Sequence, residues 1–209
     1  EIVKSKIIYR LDGAIGSGKE SKIFHGVDYS GNEIAVKIFL TTTAEFRKRL
    51  PYIMGDRRFE EGKRGGYLLI KLWARKEYVN LKTAYNSGVS VPKPITVLNN
   101  VLVMEFIGKD GKRAPLLSEV EPKKTDYLKV VRMIRKLYSK AKLVHADLSE
   151  HNIFKWGSKI YFFDFGSAVE SGHPNALEFL YRDIRNVNRF FLKHGIEVWD
   201  EERILKGVI

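Results

Sequence analysis

The fold is decided by two short stretches in the second half of the chain. Residues 143–152 read Leu-Val-His-Ala-Asp-Leu-Ser-Glu-His-Asn, and residues 162–166 read Phe-Phe-Asp-Phe-Gly. Asn152 follows Asp147 by five positions, and Asp164 follows Asp147 by 17. Phosphoryl transfer needs such a set, because a base must lie near the acceptor hydroxyl and hard oxygen ligands must hold a divalent cation on the phosphates. The two stretches therefore predict three oxygen ligands or bases in one site.

Two histidines near these stretches are predicted to have structural roles. His145 lies beside the first motif, and His173 directly precedes Pro174, where a helix is expected to begin. Neither histidine has metal-ligand spacing to another histidine, so a zinc site is not expected.

A glycine-rich segment near the start of the chain has three interpretations. Residues 13–20 read Gly-Ala-Ile-Gly-Ser-Gly-Lys-Glu, and glycines let backbone N–H groups approach phosphate closely. Gly13, Gly18 and Lys19 match the front of a Walker A loop, but Glu20 stands where that loop needs Ser or Thr for magnesium. The residues that follow also favour a strand over a helix. The other interpretations are a glycine-rich flap between two strands, as kinases use, and a plain β-turn.

A lysine within an apolar strand is the next candidate. Lys37 lies in the run Ala-Val-Lys-Ile at residues 35–38, and a buried ammonium needs an anion to offset its desolvation. A phosphate is one natural partner, and Glu77, on the helix that follows, is predicted to pair with Lys37. The alternatives are a solvent-facing lysine on an edge strand and a surface role for Glu77 among Arg75, Lys76 and Lys82.

The hydrophobic pattern predicts a β-rich half with one helix, followed by a helix-rich half. Residues 41–66 lack a clean period and are predicted to form a mobile loop, and residues 108–111 are predicted to be a linker. The boundary therefore falls between residues 1–107 and residues 108–209, and the fold class is α+β. Strands are expected at 7–11, 22–27, 34–39, 95–98, 101–104, 153–154 and 160–163, and helices at 67–85, 124–142 and 174–194.

Composition and charge indicate the cellular compartment of the protein and the kinds of partner it binds. The 209 residues include no cysteine, which excludes disulfides and thiolate sites and favours a cytoplasmic protein. No apolar run reaches the roughly 18 residues of a membrane helix, so no membrane partner is expected. The net charge is +12, with 11 Lys/Arg against 5 Asp/Glu in residues 41–85 and 11 against 4 in residues 108–142. Such clusters attract nucleotides or RNA, although solvated helix faces also explain them.

Taken in order, these motifs resemble those of the protein-kinase-like fold. The resemblance implies that Asp147 is the base and that Asn152 and Asp164 hold Mg²⁺ or Mn²⁺. Residues 104–108, Met-Glu-Phe-Ile-Gly, resemble the hinge that pairs with adenine through its backbone. The catalytic set is then Asp147, Lys37 and Asp164, and the ATP-binding set is Gly16, Ser17, Gly18, Lys19, Lys37, Glu77, Met104, Glu105 and Ile107.

Departures from that pattern indicate a particular family. Ala146 stands where most kinases have an arginine, and no Ala-Pro-Glu follows Asp164, so an activation loop and peptide-docking helices are not expected. Residues 145–152 and 173–183 resemble the RIO family of atypical serine/threonine kinases, and its first subfamily more than its second. The Lys-Glu-Ser of residues 19–21 favours the second subfamily, whereas the absence of a winged helix before residue 1 favours the first.

This resemblance implies a two-lobed fold, with a β-rich N-lobe containing one helix and a small helical C-lobe. It implies an ATP-dependent serine/threonine protein kinase that acts on a protein substrate or on itself. The family is linked to maturation of the small ribosomal subunit, so a subunit precursor and ribosomal RNA are expected partners. The alternatives are a small-molecule phosphotransferase and an ATP-gated binding factor whose slow hydrolysis passes through phosphorylated Asp164.

Overall fold

The computed structural model of the protein describes residues 6–18, 21–40, 52–53, 55–56, 58–59 and 67–206. The chain divides into two compact units. The first comprises residues 1–79 and 92–114, and the second comprises residues 80–91 and 115–209. Strands and helices are both present, so the α+β class predicted from the sequence is confirmed. The division after residue 107 stays a prediction, and most of the loop predicted at 41–66 lies outside the described residues.

An antiparallel five-stranded sheet forms the framework of the first unit. Its order, β1-β2-β3-β5-β4, places the lysine-bearing strand β3 in the centre. The β-branched side chains of Ile34, Val36 and Val103 pack with Ile8 in a buried cluster beneath the sheet. The strands are β1 (Arg10–Ser17), β2 (Ser21–Val27), β3 (Glu33–Phe39), β4 (Pro94–Leu98) and β5 (Val101–Glu105).

The first strand differs from the prediction. It begins at Arg10 instead of residue 7 and continues to Ser17, so most of the glycine-rich segment is strand. Its pairing with β2 shifts register between Leu11 and Ala14 and again between Ala14 and Gly16. Such bulges obscure the two-residue period by which strands are identified in a sequence. The strand approaches β2 closely at Gly26, where a Cβ would lie 2.7 Å from the Arg10 carbonyl oxygen.

Helix α1 (Tyr67–Asn86) belongs to both units, because the division falls between Val79 and Asn80. Its buried side chains include Ile70, Trp73 and Ala74. The predicted stop is present, since Gly88 adopts a left-handed φ of 71° and the Val89 N–H bonds to the Ala84 carbonyl.

A small hairpin occupies the stretch predicted to be a linker. Strands β6 (Gly108–Lys109) and β7 (Lys112–Arg113) pair across a two-residue turn. Asp110 and Gly111 both have positive φ, 53° and 71°, which is the geometry of a tight hairpin turn. The linker prediction was therefore wrong, because two-residue strands are too short to show a period.

The second unit combines helices with two short strand pairs. Helix α2 (Lys124–Ser139) ends three residues before residue 142, which was predicted to be its last. Lys142 instead adopts a left-handed φ of 54°. Strands β8 and β11 and helix α4 were not predicted from the sequence. No helix in the described ranges is long and apolar enough to cross a membrane. The elements are α2 (Lys124–Ser139), β8 (Leu143–Val144), β9 (Ile153–Trp156), β10 (Lys159–Phe162), β11 (Val169–Glu170), α3 (Ala176–Lys193) and α4 (Glu201–Leu205).

Candidate active site

The loop around Asp147 is fixed from one side by helix α3. Both oxygens of the Asp183 carboxylate accept backbone hydrogen bonds at 2.8 Å, one from the Ala146 N–H and the other from the Leu148 N–H. The Arg182 guanidinium donates to the Ala146 carbonyl, and the Asn186 amide donates to the Leu148 carbonyl at 3.3 Å. The backbone groups on either side of Asp147 are therefore held while Asp147 itself is exposed.

These supporting residues were not predicted, although the sequence contains a signal for one of them, Asp183. Helix α3 has an apolar face formed by Leu180, Ile184 and Val187, and Asp183 lies on that face. A carboxylate at an apolar position is seldom buried unless donors satisfy it. The single charge on the buried face was therefore the mark of a tertiary contact.

Burial shifts the pKa of two groups at this site, Asp183 on α3 and His145 in the loop. Asp183 is 1% exposed, and burial raises the pKa of its carboxyl to about 7 although two backbone N–H donors oppose the shift. Burial lowers the pKa of His145 to about 4, so its ring is neutral near pH 7. His145 Nε2 donates to the Phe163 carbonyl at 2.9 Å, while its Nδ1 meets no hydrogen-bond partner among the described residues. This contact agrees with the structural role predicted for His145.

Asn152 links the loop of Asp147 to the segment that carries Asp164. It closes a short 3-10 turn (Glu150–Asn152), and its side-chain amide donates to the Asp147 carbonyl at 2.7 Å. Its own carbonyl accepts from the Phe163 N–H at 3.1 Å. Asp164 directly follows Phe163 and has a left-handed φ of 63°. The three residues predicted to form one site therefore belong to one cluster of connected loops.

Asn80 supports the segment after Asp164. Its side-chain amide donates to the carbonyls of Phe165 at 3.1 Å and Ala168 at 2.8 Å, and the residue is fully buried. Asn80 could not be selected from the sequence, because an asparagine within a helix is common and its partners lie more than 80 positions away.

The donor set in this cluster fits a hard divalent cation. Asp164 offers a carboxylate and Asn152 an amide oxygen, which are hard oxygen ligands. Among the described residues, no group of three or more His, Asp or Glu side chains is arranged to hold a metal ion. Mg²⁺ suits a site with few protein ligands, since it usually keeps waters and takes further oxygens from phosphate.

In the first unit, Lys37 and Glu77 form a buried ion pair. Lys37 Nζ lies 2.8 Å from both carboxylate oxygens of Glu77, and the two residues are 5% and 1% exposed. Strand β3 is flanked by β2 and β5, so the edge-strand alternative for Lys37 was wrong. The burial of Glu77 likewise excludes a surface role.

The glycine-rich candidates lie where β1 meets β2. Gly16 and Ser17 pair with Ile23 and Lys22 in the strand register, and the Gly18 N–H bonds to the Ser21 carbonyl at 2.9 Å. A strand follows this turn, so the helix required by a Walker A loop is absent from residues 21–27. Lys19 lies outside the described residues.

The hinge candidates continue strand β5. Met104 is buried and pairs with Ala35, while the Glu105 N–H bonds to the Lys93 carbonyl at 2.8 Å. The Ile107 carbonyl accepts from the Ala114 N–H at 2.8 Å. The backbone hydrogen bonds found among the described residues include none donated by the Ile107 N–H.

Comparison with known proteins gives related sequences and a related fold. A family model described as "RIO domain" matches residues 22–204. The chain is 41% identical over 199 residues to the RIO-type serine/threonine-protein kinase Rio1 of Haloferax volcanii, covering 94% of this chain and 68% of that protein. It is 40% identical over 208 residues to human serine/threonine-protein kinase RIO1, covering 97% of this chain and 37% of that protein.

A solved structure has the same fold. The Rio2 kinase from Chaetomium thermophilum, in an ADP/Mg²⁺-phosphoaspartate complex, superposes with a TM-score of 0.76 at 24% identity. The match covers 99% of this chain and 64% of that one. The protein-kinase-like fold predicted from the motifs is thereby confirmed. The chain spans less than half the length of the human relative.

Proposed function

Since this chain belongs to the RIO domain family, as its motifs predicted, we propose that it is an ATP-dependent serine/threonine protein kinase. The reaction moves the γ-phosphoryl group from ATP to a hydroxyl oxygen of serine or threonine. The bond between the γ-phosphorus and the bridging oxygen breaks, a new O–P bond forms, and the hydroxyl proton leaves.

One observation carries this proposal. The carbonyl and N–H groups of Ala146 and Leu148, which flank Asp147, are all bonded by residues 182, 183 and 186. An exposed carboxylate on a backbone held at four points is suited to a general base, since catalysis needs a group fixed before the substrate arrives. Asp147 accepts the proton of the acceptor hydroxyl in this proposal.

Asp164 and Asn152 are the proposed ligands of Mg²⁺ or Mn²⁺. The hydrogen bond from Asn152 to the Asp147 carbonyl fixes the spacing between the metal ligands and the base. A divalent cation at these oxygens neutralises charge that develops on the phosphates during transfer. Use of ADP and Mg²⁺ by the Rio2 kinase of similar fold supports this assignment.

Lys37, Glu77 and the hinge are the proposed nucleotide-binding elements of the first unit. Glu77 holds the Lys37 ammonium at 2.8 Å, so the cation is positioned to contact phosphate. The Ile107 N–H and the backbone of Met104 and Glu105 are proposed to hold adenine. Gly16, Ser17, Gly18 and Lys19 are proposed to contact the triphosphate.

A ribosomal setting is part of the proposal. We infer that the phosphoryl acceptor is a serine or threonine, either of a protein substrate or of the kinase itself. Precursors of the small ribosomal subunit and ribosomal RNA are proposed partners, because the basic segments 41–85 and 108–142 exceed what one nucleotide requires. The cytoplasm is the proposed compartment.

A second function merits a direct test. The phosphoaspartate in the Rio2 complex favours an ATPase cycle that passes through an acyl phosphate on Asp164. In that cycle a carboxylate oxygen attacks the γ-phosphorus, ADP leaves, and water releases inorganic phosphate. A small-molecule phosphotransferase has no observation of this kind in its favour.

Incubation with γ-labelled ATP separates the two functions. A kinase accumulates label on serine or threonine, which resists hydroxylamine. An ATPase releases free phosphate and carries at most a hydroxylamine-labile label. The experiment is run with and without precursor particles, using Asp147→Asn as the matched inactive control. Label confined to free phosphate and an acyl phosphate under both conditions would refute the kinase proposal.

A further inference from the structure

Helix α3 turns a basic stripe toward solvent beside the side chains that hold the Asp147 loop. Arg185, Arg189 and Lys193 follow one another at four-residue spacing, so they share one face of the helix. All three are exposed. They line a groove of about 1400 Å³ that lies between α3 and the residues leading into α4.

The charge of this stripe is only partly matched within the protein. Arg185 Nε lies 3.9 Å from a Glu201 carboxylate oxygen, and both side chains are exposed, so this pair contributes little. Asp200 accepts a hydrogen bond from the Arg203 N–H at 2.6 Å and caps α4. Glu178 also lines the groove, but within the described ranges neither Arg189 nor Lys193 pairs with a carboxylate. These two cations also line a second cavity, of about 470 Å³, together with Glu150, His151 and His194.

The groove also presents apolar surface. Leu192 is 56% exposed, and Tyr181 and Val198 line the same groove. Exposed aliphatic side chains between cations suit a protein ligand whose carboxylates alternate with apolar side chains.

The aromatic groups argue against single-stranded RNA as the occupant. RNA of that kind binds by stacking its bases on open aromatic faces. The guanidinium carbons of Arg203 and Arg135 lie 4.4 Å and 5.1 Å from the centre of the Trp199 ring, and Tyr127 meets that ring edge-on. Trp199 is therefore engaged in internal contacts, which leaves Tyr181 as the one other aromatic side chain among the described residues that line the groove.

We propose that this groove, lined by Arg185, Arg189, Leu192 and Lys193, binds an acidic protein segment that contains apolar side chains. The proposal does not depend on the kinase reaction, because the hydrogen bonds that hold Ala146 and Leu148 in the Asp147 loop come from Arg182, Asp183 and Asn186 and from none of these four side chains. Arg182 and Asn186 also line the groove, but they hold that loop and are left unchanged in the test.

The test uses fluorescence anisotropy of a fluorescein-labelled peptide of alternating glutamate and leucine, roughly a dozen residues long. Arg185→Glu/Lys193→Glu is expected to weaken binding about tenfold, because two attractions become repulsions. The matched control is Arg132→Glu/Lys140→Glu, which makes the same charge change at the same eight-residue separation. Arg132 is exposed on α2, and Lys140 is exposed at the C-terminal end of that helix. The control is expected to change affinity less than about twofold.

Two further substitutions test the apolar contact with the peptide, and thermal melts test folding. Leu192→Ser, which leaves the charge unchanged, is expected to weaken peptide binding about threefold, and replacing leucine by serine in the peptide should have a similar effect. Thermal melts show whether each variant is folded. Equal losses in the groove and control variants would refute the proposal, as would an absence of peptide binding. Tighter binding of a uridine oligonucleotide, lost in the groove variant, would identify a nucleic-acid surface and refute it as well.

Discussion

The buried carboxylate of Asp183 accepts a hydrogen bond from the Ala146 N–H at 2.8 Å and thereby supports a strained backbone. Ala146 has a φ of 64°, in the left-handed region that costs a non-glycine residue about 1–2 kcal/mol. A typical hydrogen bond contributes about 0.5–1.5 kcal/mol, so the two backbone bonds that Asp183 accepts together offset this strain. Asp147, which follows this turn, is exposed, and hydrogen bonds to Asp183 on α3 stabilise the turn.

Asp147→Asn is expected to reduce phosphoryl transfer by ~10²–10⁴, the usual contribution of a general base. Nucleotide affinity should remain close to wild type, because the base acts on the acceptor and not on ATP. Single-turnover kinetics and nucleotide titration measure the two quantities separately. Unchanged turnover in the purified variant would remove Asp147 from the proposed role.

Asp164→Asn should weaken ATP binding in Mg²⁺ much more than in EDTA, because the substitution removes a ligand charge from the cation. Isothermal titration with and without Mg²⁺ gives the two affinities. Asp147→Asn is the control, since it should keep the wild-type dependence on Mg²⁺. The assignment fails if both variants show the same metal dependence.

Glu77→Leu is expected to destabilise the protein by about 3–5 kcal/mol, because it removes the Glu77 carboxylate from a buried ion pair and leaves the Lys37 ammonium buried. Lys37→Met/Glu77→Leu should recover most of that loss, since no buried charge remains, and yet lack turnover. Urea unfolding of both single variants and the double variant completes the cycle. Additive losses would show that the pair is not coupled.

His145 should make the protein sensitive to acid. Its folded-state pKa of about 4 lies below the ordinary 6.5, so the unfolded chain binds more protons between these values. The contribution to stability is complete above pH 6.5 and falls by about 3 kcal/mol as pH drops toward 4. His145→Gln keeps an N–H donor without the titration, so its unfolding free energy should lack this loss. Urea midpoints across the range measure it.

Asp183 should act in the opposite direction over nearly the same range. Its folded-state pKa of about 7 exceeds the ordinary 3.8, so the folded protein binds the extra proton and loses stability as pH rises between these values. Asp183→Asn should therefore show stability that rises with pH from 4 to 6.5 more steeply than in wild type. His145→Gln should show the reverse slope. Parallel pH profiles for the two variants would contradict both assignments.

The sequence by itself determined the family and much of the framework, and it predicted the site. The spacing of Asp147, Asn152 and Asp164 predicted a phosphoryl-transfer site, because a motif of this kind depends on residue types at fixed local separations, and residues 145–152 and 173–183 indicated the family. The apolar periods of α1, α2 and α3 were likewise visible in the chain, with errors of a few residues at their ends. A helical period extends over several turns, so it is recognisable without tertiary contacts.

Only the tertiary structure decided how the loop that carries Asp147 and the segment after Asp164 are held in place. Asp183 reaches Ala146 across 37 positions, and Asn80 reaches Phe165 across 85. No local period records such hydrogen bonds, because the partners of Asp183 and Asn80 are backbone groups of distant loops. Strands of two residues, such as β8 and β11, also leave no period and exist only through their pairing. The residues of the proposed site could therefore be predicted from the sequence, whereas the hydrogen bonds that support the Asp147 loop join segments far apart in the chain.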